Sequence, residues 1–148
     1  KLLKRITMAL FHPKTVLLLS IIILALHALA LYKFYWYWTI PWFDMAMHAA
    51  GGFTAGILFF VLARDHVPII FQAPPYAIII AGVSVTALIG VGWEWYEFLY
   101  DTFIIERNVN LLLQANVTDT LSDLFFDLLG GLIAALLFIT SKKINIDK

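Results

Sequence analysis

Four long apolar stretches, none containing a Lys or Arg, restrict what this chain can fold into. They run over about 15–32, 43–62, 76–100 and 119–140, each long enough to cross a hydrocarbon layer of about 30 Å as a helix. In that layer every backbone polar group needs an internal partner, which leaves helices or a closed barrel. Stretches of this length exclude the short alternating strands of a barrel. The expectation is an all-α, polytopic membrane protein with four transmembrane helices in one domain, 1–148. Composition agrees: 62% of the residues are hydrophobic and only 14% charged. The first stretch is longer than a signal-peptide core and no small-residue cleavage site follows it, so it reads as a retained span.

Net charge is zero, which gives no electrostatic basis for binding nucleic acid. The aromatic run from Phe34 to Phe43 has only Lys33 beside it and suits the headgroup layer, with Pro41 starting the next helix. Cysteine is absent, so any metal would have oxygen and imidazole ligands.

The acidic residues are placed against local energetics. Glu94, Glu97 and Asp101 follow an i, i+3, i+7 spacing that puts them on one helix face, at the end where the helix dipole disfavours anions. Asp44 and His48, at i, i+4, open the second span, and Asp119, Asp123 and Asp127 form a stripe at the start of the fourth. Intramembrane acids are expensive and mark functional sites by default. Asp119 also reads as a helix cap, Asp101 as a solvated loop residue, and His27 in the first span as a packed or hydrogen-bonded residue. In the third connection, Leu111-Leu112-Leu113 suits the membrane interface, and Asn116-Val117-Thr118 matches a glycosylation sequon.

Orientation follows from the basic residues. Lys1, Lys4, Arg5, Lys14, Arg64, Lys142, Lys143 and Lys148 lie at the termini and middle connection, against Lys33 and Arg107 in the other two. Both termini are therefore expected in the cytoplasm of a cell with the protein in its inner membrane. All three acidic stripes then meet at the outer side, with His48, Glu94 and Asp127 roughly 6 to 12 Å below the interface. A repeat at an offset of 79 residues aligns Asp44, His48, Gly51 and Gly52 with Asp123, Asp127, Gly130 and Gly131. The halves read as duplicated two-helix hairpins about an axis along the membrane normal, with the glycine pairs as close packing contacts.

Carboxylates with one imidazole and no sulfur suit Mg, Mn, Fe, Zn or Ca, and the expected ligands are Asp44, His48, Glu94, Glu97, Asp123 and Asp127. Two function classes follow. In a metal-dependent enzyme acting on a lipid or lipid-linked headgroup, Glu97 or Asp101 is the spare carboxylate that serves as general base. In a proton or cation pathway the same acids relay ions without chemistry, which requires further polar steps toward the cytoplasm. A small accessory subunit with a structural ion is a third reading. In each, membrane lipids are the surrounding partner.

The motifs Phe43-Asp44-x-x-x-His48-x-x-Gly51-Gly52, Trp93-Glu94-x-x-Glu97 and Asp119-x-x-x-Asp123-x-x-x-Asp127-x-x-Gly130 resemble those of the YjdF-like membrane proteins, and more loosely the VanZ-like group. The resemblance covers roughly 43–131 and implies a bacterial-type polytopic membrane protein. VanZ-like proteins are associated with glycopeptide (teicoplanin) resistance. They tend to carry Gln, Arg and Asn near the positions of Glu97 and Asp127, so that role is not carried over.

Overall fold

The computed structural model describes residues 9–104 and 111–146. Of the basic residues that set the expected orientation, Lys1, Lys4, Arg5, Arg107 and Lys148 lie outside the described residues.

Proline starts two of the long helices at the position where its missing N–H costs nothing. The first, α1 (Pro13–Leu29), is capped by His12, whose Nδ1 accepts from the Lys14 amide at 3.1 Å. It runs on through a π turn, Ala30–Phe34, to Tyr35, which is held in the left-handed region at φ 55°. A non-glycine residue there costs about 1–2 kcal/mol. The reversal turns the short α2 (Trp36–Thr39) back, so that Tyr37 meets His27 ten residues upstream. The second long helix, α3 (Phe43–His66), follows the turn at Pro41, and a 3₁₀ segment, Pro68–Gln72, leads to α4 (Pro75–Phe103). The last helix is α5 (Val117–Ile146). Its first turn is capped by Asn116, the sequon asparagine, whose side-chain oxygen accepts from the Thr118 and Asp119 amides.

Four helical segments are long and apolar enough to span a membrane: Pro13–Phe34, Phe43–His66, Pro75–Phe103 and Val117–Lys142. Each extends a few residues past the apolar windows read from sequence, because helix continues into the polar ends. Leu17, Leu24, Ile80, Leu88 and Phe125 are exposed on the outer faces, an apolar exterior suited to lipid. At the end where α1 and α5 carry Lys14 and Lys142, Phe60 stacks on Phe138 and packs with Ile78 and Ala135. The Lys142 ammonium there donates to the Phe71 carbonyl.

The most extensive packing is between α3 and α5, which run parallel. Glycines allow it. A Cβ on Gly52 would strike the Asp127 backbone, and one on Gly130 would strike the backbone of Ala49 and Phe53. Antiparallel α4 crosses the pair with Gly90 against Asp127 and Gly82 against Phe60. The repeat is visible in this arrangement but imperfect. His48 and Asp127, equivalent by the offset of 79, do meet. Gly51 faces open space and Gly131 seats Thr86 of α4, so the residues at the seam, Gly52 and Gly130, are not equivalent ones.

Candidate metal centre

One end of the bundle holds His48 and five carboxylates, brought together by the helical spacing of α3, α4 and α5. On α3, one helical turn puts Asp44 beneath His48, with Oδ1 3.6 Å from Nε2. From α4, Glu97 brings Oε1 to 3.9 Å from the same nitrogen. From α5, Asp127 places Oδ2 3.2 Å from Nδ1, the other ring nitrogen. His48, Glu94, Glu97, Asp123 and Asp127 are all buried, and Asp44 nearly so. The acidic stripes therefore converge as their positions in the chain led one to expect.

Three of the acids have a further distinct contact. The Trp93 indole N–H donates to Glu97 Oε1 at 2.9 Å, and the Gln114 amide donates to Glu94 Oε2 at 2.9 Å. The Asp127 carboxylate fits only because residue 90 is glycine, since a Cβ there would overlap Oδ2. Among the described residues, four buried side-chain atoms have no hydrogen-bond partner: Asp44 Oδ1, His48 Nε2, Glu94 Oε1 and Glu97 Oε2. His48 thus holds Asp127 through Nδ1 and turns Nε2 toward the unpartnered Oδ1 of Asp44 and toward Glu97 Oε1. An imidazole fixed by a carboxylate on one nitrogen and presented through the other is the usual posture of a metal ligand.

Separations of 3.6 and 3.9 Å are too long for hydrogen bonds. Water held at about 2.8 Å from each of two groups in tetrahedral geometry keeps them about 4.6 Å apart. Ligands about 2.1 Å from one ion lie about 3 to 4.2 Å apart, which brackets both distances.

One expected member of the site, Asp101, and the remaining acid of the α5 stripe, Asp119, lie elsewhere. Asp101, read as a spare base or a solvated loop residue, is buried at the end of α4, and both its oxygens accept backbone amides, from Leu113 and Gln114, at 2.9 Å each. It fastens the connection ahead of α5. Asp119 accepts from the Ala115 amide at 3.0 Å, bracing the same connection. Leu113 is likewise turned inward against Leu31 and Tyr100, not laid in the interface, while Trp38 donates to the Leu112 carbonyl. Asp127 falls outside the two groups of side chains with metal-ligand spacing, Asp44/His48/Asp123 and His48/Glu94/Glu97. Its place is behind His48.

Gln114 was not legible as a site residue, because nothing local marks a glutamine in a loop. Trp93 was accessible in principle, four residues before Glu97 on the same face. His27 is satisfied, with Nδ1 2.7 Å from the Tyr37 hydroxyl and its ring edge-on to Trp93. Burial holds the Tyr37 phenol above the ordinary phenol range, so it stays protonated. A cavity of about 90 Å³ opens beside His48, lined also by Tyr37, Trp93, Ile23, Met47 and Ile89.

Beyond the cluster the polar path stops among the described residues. The buried hydroxyls of Thr54 and Thr86 donate to carbonyls of their own helices, Ala50 and Gly82, and the core beyond them is Ile57, Phe60 and Ile78.

Comparison with curated proteins and with solved structures returns no match. The family comparison matches residues 3–143, nearly the whole chain, in accord with the YjdF-like motifs, and the chain belongs to the family described as predicted membrane protein (DUF2238).

Proposed function

We propose that the His48 cluster binds a divalent cation and that the protein is a metal-dependent enzyme acting on a lipid or lipid-linked headgroup. The observation that carries the reading is the set of four buried, unpartnered atoms on Asp44, His48, Glu94 and Glu97. Each ionised acid at mid-helix depth costs about 2.5–3.5 kcal/mol on the lenient insertion scale. Five of them bare would consume a typical folding stability of about 5–15 kcal/mol. A shared cation relieves both the burial and the mutual repulsion.

Asp44, His48, Glu94, Glu97 and Asp123 are the proposed ligands, with Asp127 holding the imidazole. A bound divalent ion polarises a phosphoryl or acyl oxygen and acidifies water, and Glu97, with an unpartnered oxygen, is placed to accept the proton. The cavity beside His48 leaves room for a reacting group, and its Ile23, Met47 and Ile89 wall suits the apolar part of a lipid. In the orientation given by the basic residues, the site faces away from the cytoplasm.

The pathway reading has less support, because the polar groups end at Thr54 and Thr86. The test is to reconstitute the full chain into phosphatidylethanolamine and phosphatidylglycerol vesicles and follow the lipids by mass spectrometry, with and without Mn²⁺. Metal-dependent conversion of a lipid, abolished by Glu97→Gln, is expected. Unaltered lipids with metal-loaded protein would refute the enzyme reading for these headgroups.

A further inference from the structure

We infer that the cluster is built for two divalent cations, an inference that rests on the cation-site reading above and deepens it. The donors form two sets that share one residue: Asp44, His48 and Asp123 from α3 and α5, and His48, Glu94 and Glu97 from α3 and α4. Within each set the ligand atoms lie within 4.8 Å of one another. Ligands bound at about 2.1 to 2.4 Å can be at most about 4.2 to 4.8 Å apart, when they lie across the ion from each other. One ion can therefore gather either set. The four acids do not fall into a single set, so an ion in one leaves the carboxylates of the other uncovered.

The unpartnered atoms are divided in the same way. Of the residues that bear them, Asp44 belongs to the first set, Glu94 and Glu97 to the second, and His48 to both. These are not surface acids, since His48, Glu94 and Glu97 are only 4%, 5% and 1% exposed. Charge points the same way: a ligating His48 is neutral, so the five ionised carboxylates carry five negative charges, which one divalent cation lowers to three and two lower to one. Among the described residues the one ion pair made by a Lys or Arg is Arg64 with Asp65, on the exposed surface at the far end of α3.

Nε2 has a single lone pair and serves one ion. It lies 3.6 Å from Asp44 and 3.9 Å from Glu97, and we place it with the first set. That ion has a nitrogen and two carboxylates and suits a borderline transition metal. The second is held by Glu94 and Glu97 through oxygen alone and suits Mg, Mn or Ca. Gln114, on the far oxygen of Glu94, and Trp93, on Glu97, then serve to aim this second pair.

The experiment uses the full chain in detergent, stripped by chelator and titrated with Mn²⁺, with free Mn²⁺ counted by electron paramagnetic resonance. The wild type is expected to bind two equivalents and to show a spin-coupled spectrum when loaded. Glu94→Gln is expected to bind one, with an uncoupled six-line spectrum. A wild type that saturates at one uncoupled equivalent overturns the two-ion inference and leaves the cation site standing. Binding of none overturns both. The wild-type count decides the matter even where Glu94→Gln fails to fold.

Discussion

Substituting Gly90 by alanine separates metal affinity from folding, because its effect falls on one side chain that need not touch the ion. A Cβ at residue 90 would overlap Asp127 Oδ2 and come within 3.1 Å of Cγ and 3.3 Å of its Cβ. All of these are side-chain atoms, so the carboxylate can rotate away while α4 and α5 keep their spacing. Rotation breaks the 3.2 Å contact with His48 Nδ1. Loss of such an orienting partner typically costs 10- to 100-fold in metal affinity, or about 1.4 to 2.7 kcal/mol. Folding should barely register the change, since Gly→Ala within a helix gains up to about 1 kcal/mol of propensity, which offsets the displaced side chain. A methyl group added at Gly92, on the same helix, would meet nothing within 4 Å, so Gly92→Ala is the matched control. The assay is Mn²⁺ affinity with thermal unfolding followed in parallel. A Gly90→Ala protein that binds Mn²⁺ within twofold of wild type would show that Asp127 does not hold His48 for a metal.

Other substitutions should divide by what they touch. Gly52→Ala drives a methyl into the Asp127 backbone, where nothing can rotate away, and should lower stability by about 1–3 kcal/mol or more, measured as a fall in unfolding temperature. Asp101→Asn leaves one of two amides, the buried Leu113 or the partly buried Gln114, without its acceptor and should cost about 1.5–3 kcal/mol of stability with the metal count unchanged. A changed metal count would place Asp101 in the site after all. Gln114→Ala frees Glu94 Oε2 and should weaken metal binding with little effect on unfolding temperature. Removing the metal from protein held at 100 times its dissociation constant should lower stability by about 2.7 kcal/mol, recovered when Mn²⁺ is restored.

The fold was legible because its determinants are local. Apolar runs of spanning length and prolines at helix starts can be read without knowing what packs where. The convergence of the acids was legible for a different reason: helical periodicity fixes the face of each acid, and alternating helix direction brings Asp44, Glu94 and Asp123 to the same end. Sequence spacing carries no information on which oxygen points where. It could not tell Asp127, which holds His48, from Asp123, which is grouped with it as a ligand, since both lie on one stripe of α5. Asp101 shares the stripe of Glu94 and Glu97, yet the connection ahead of α5 folds back and occupies it. Gly52, Gly130 and Gly131 pack closely as read while Gly51 faces open space, because the partners depend on the rotation of α3 against α5, which the repeat alone did not fix.

The central claim is that buried acids and His48 hold a cation, and elemental analysis of the detergent-purified chain tests it most directly, with a Glu94→Gln/Asp123→Asn double variant beside it. The account predicts about two equivalents of divalent metal per chain in the wild type, from the donor sets and charge count above, and a loss of that metal in the double variant. A wild type that carries no metal, and takes none up after exposure to Mn²⁺, Zn²⁺ or Mg²⁺, would contradict it.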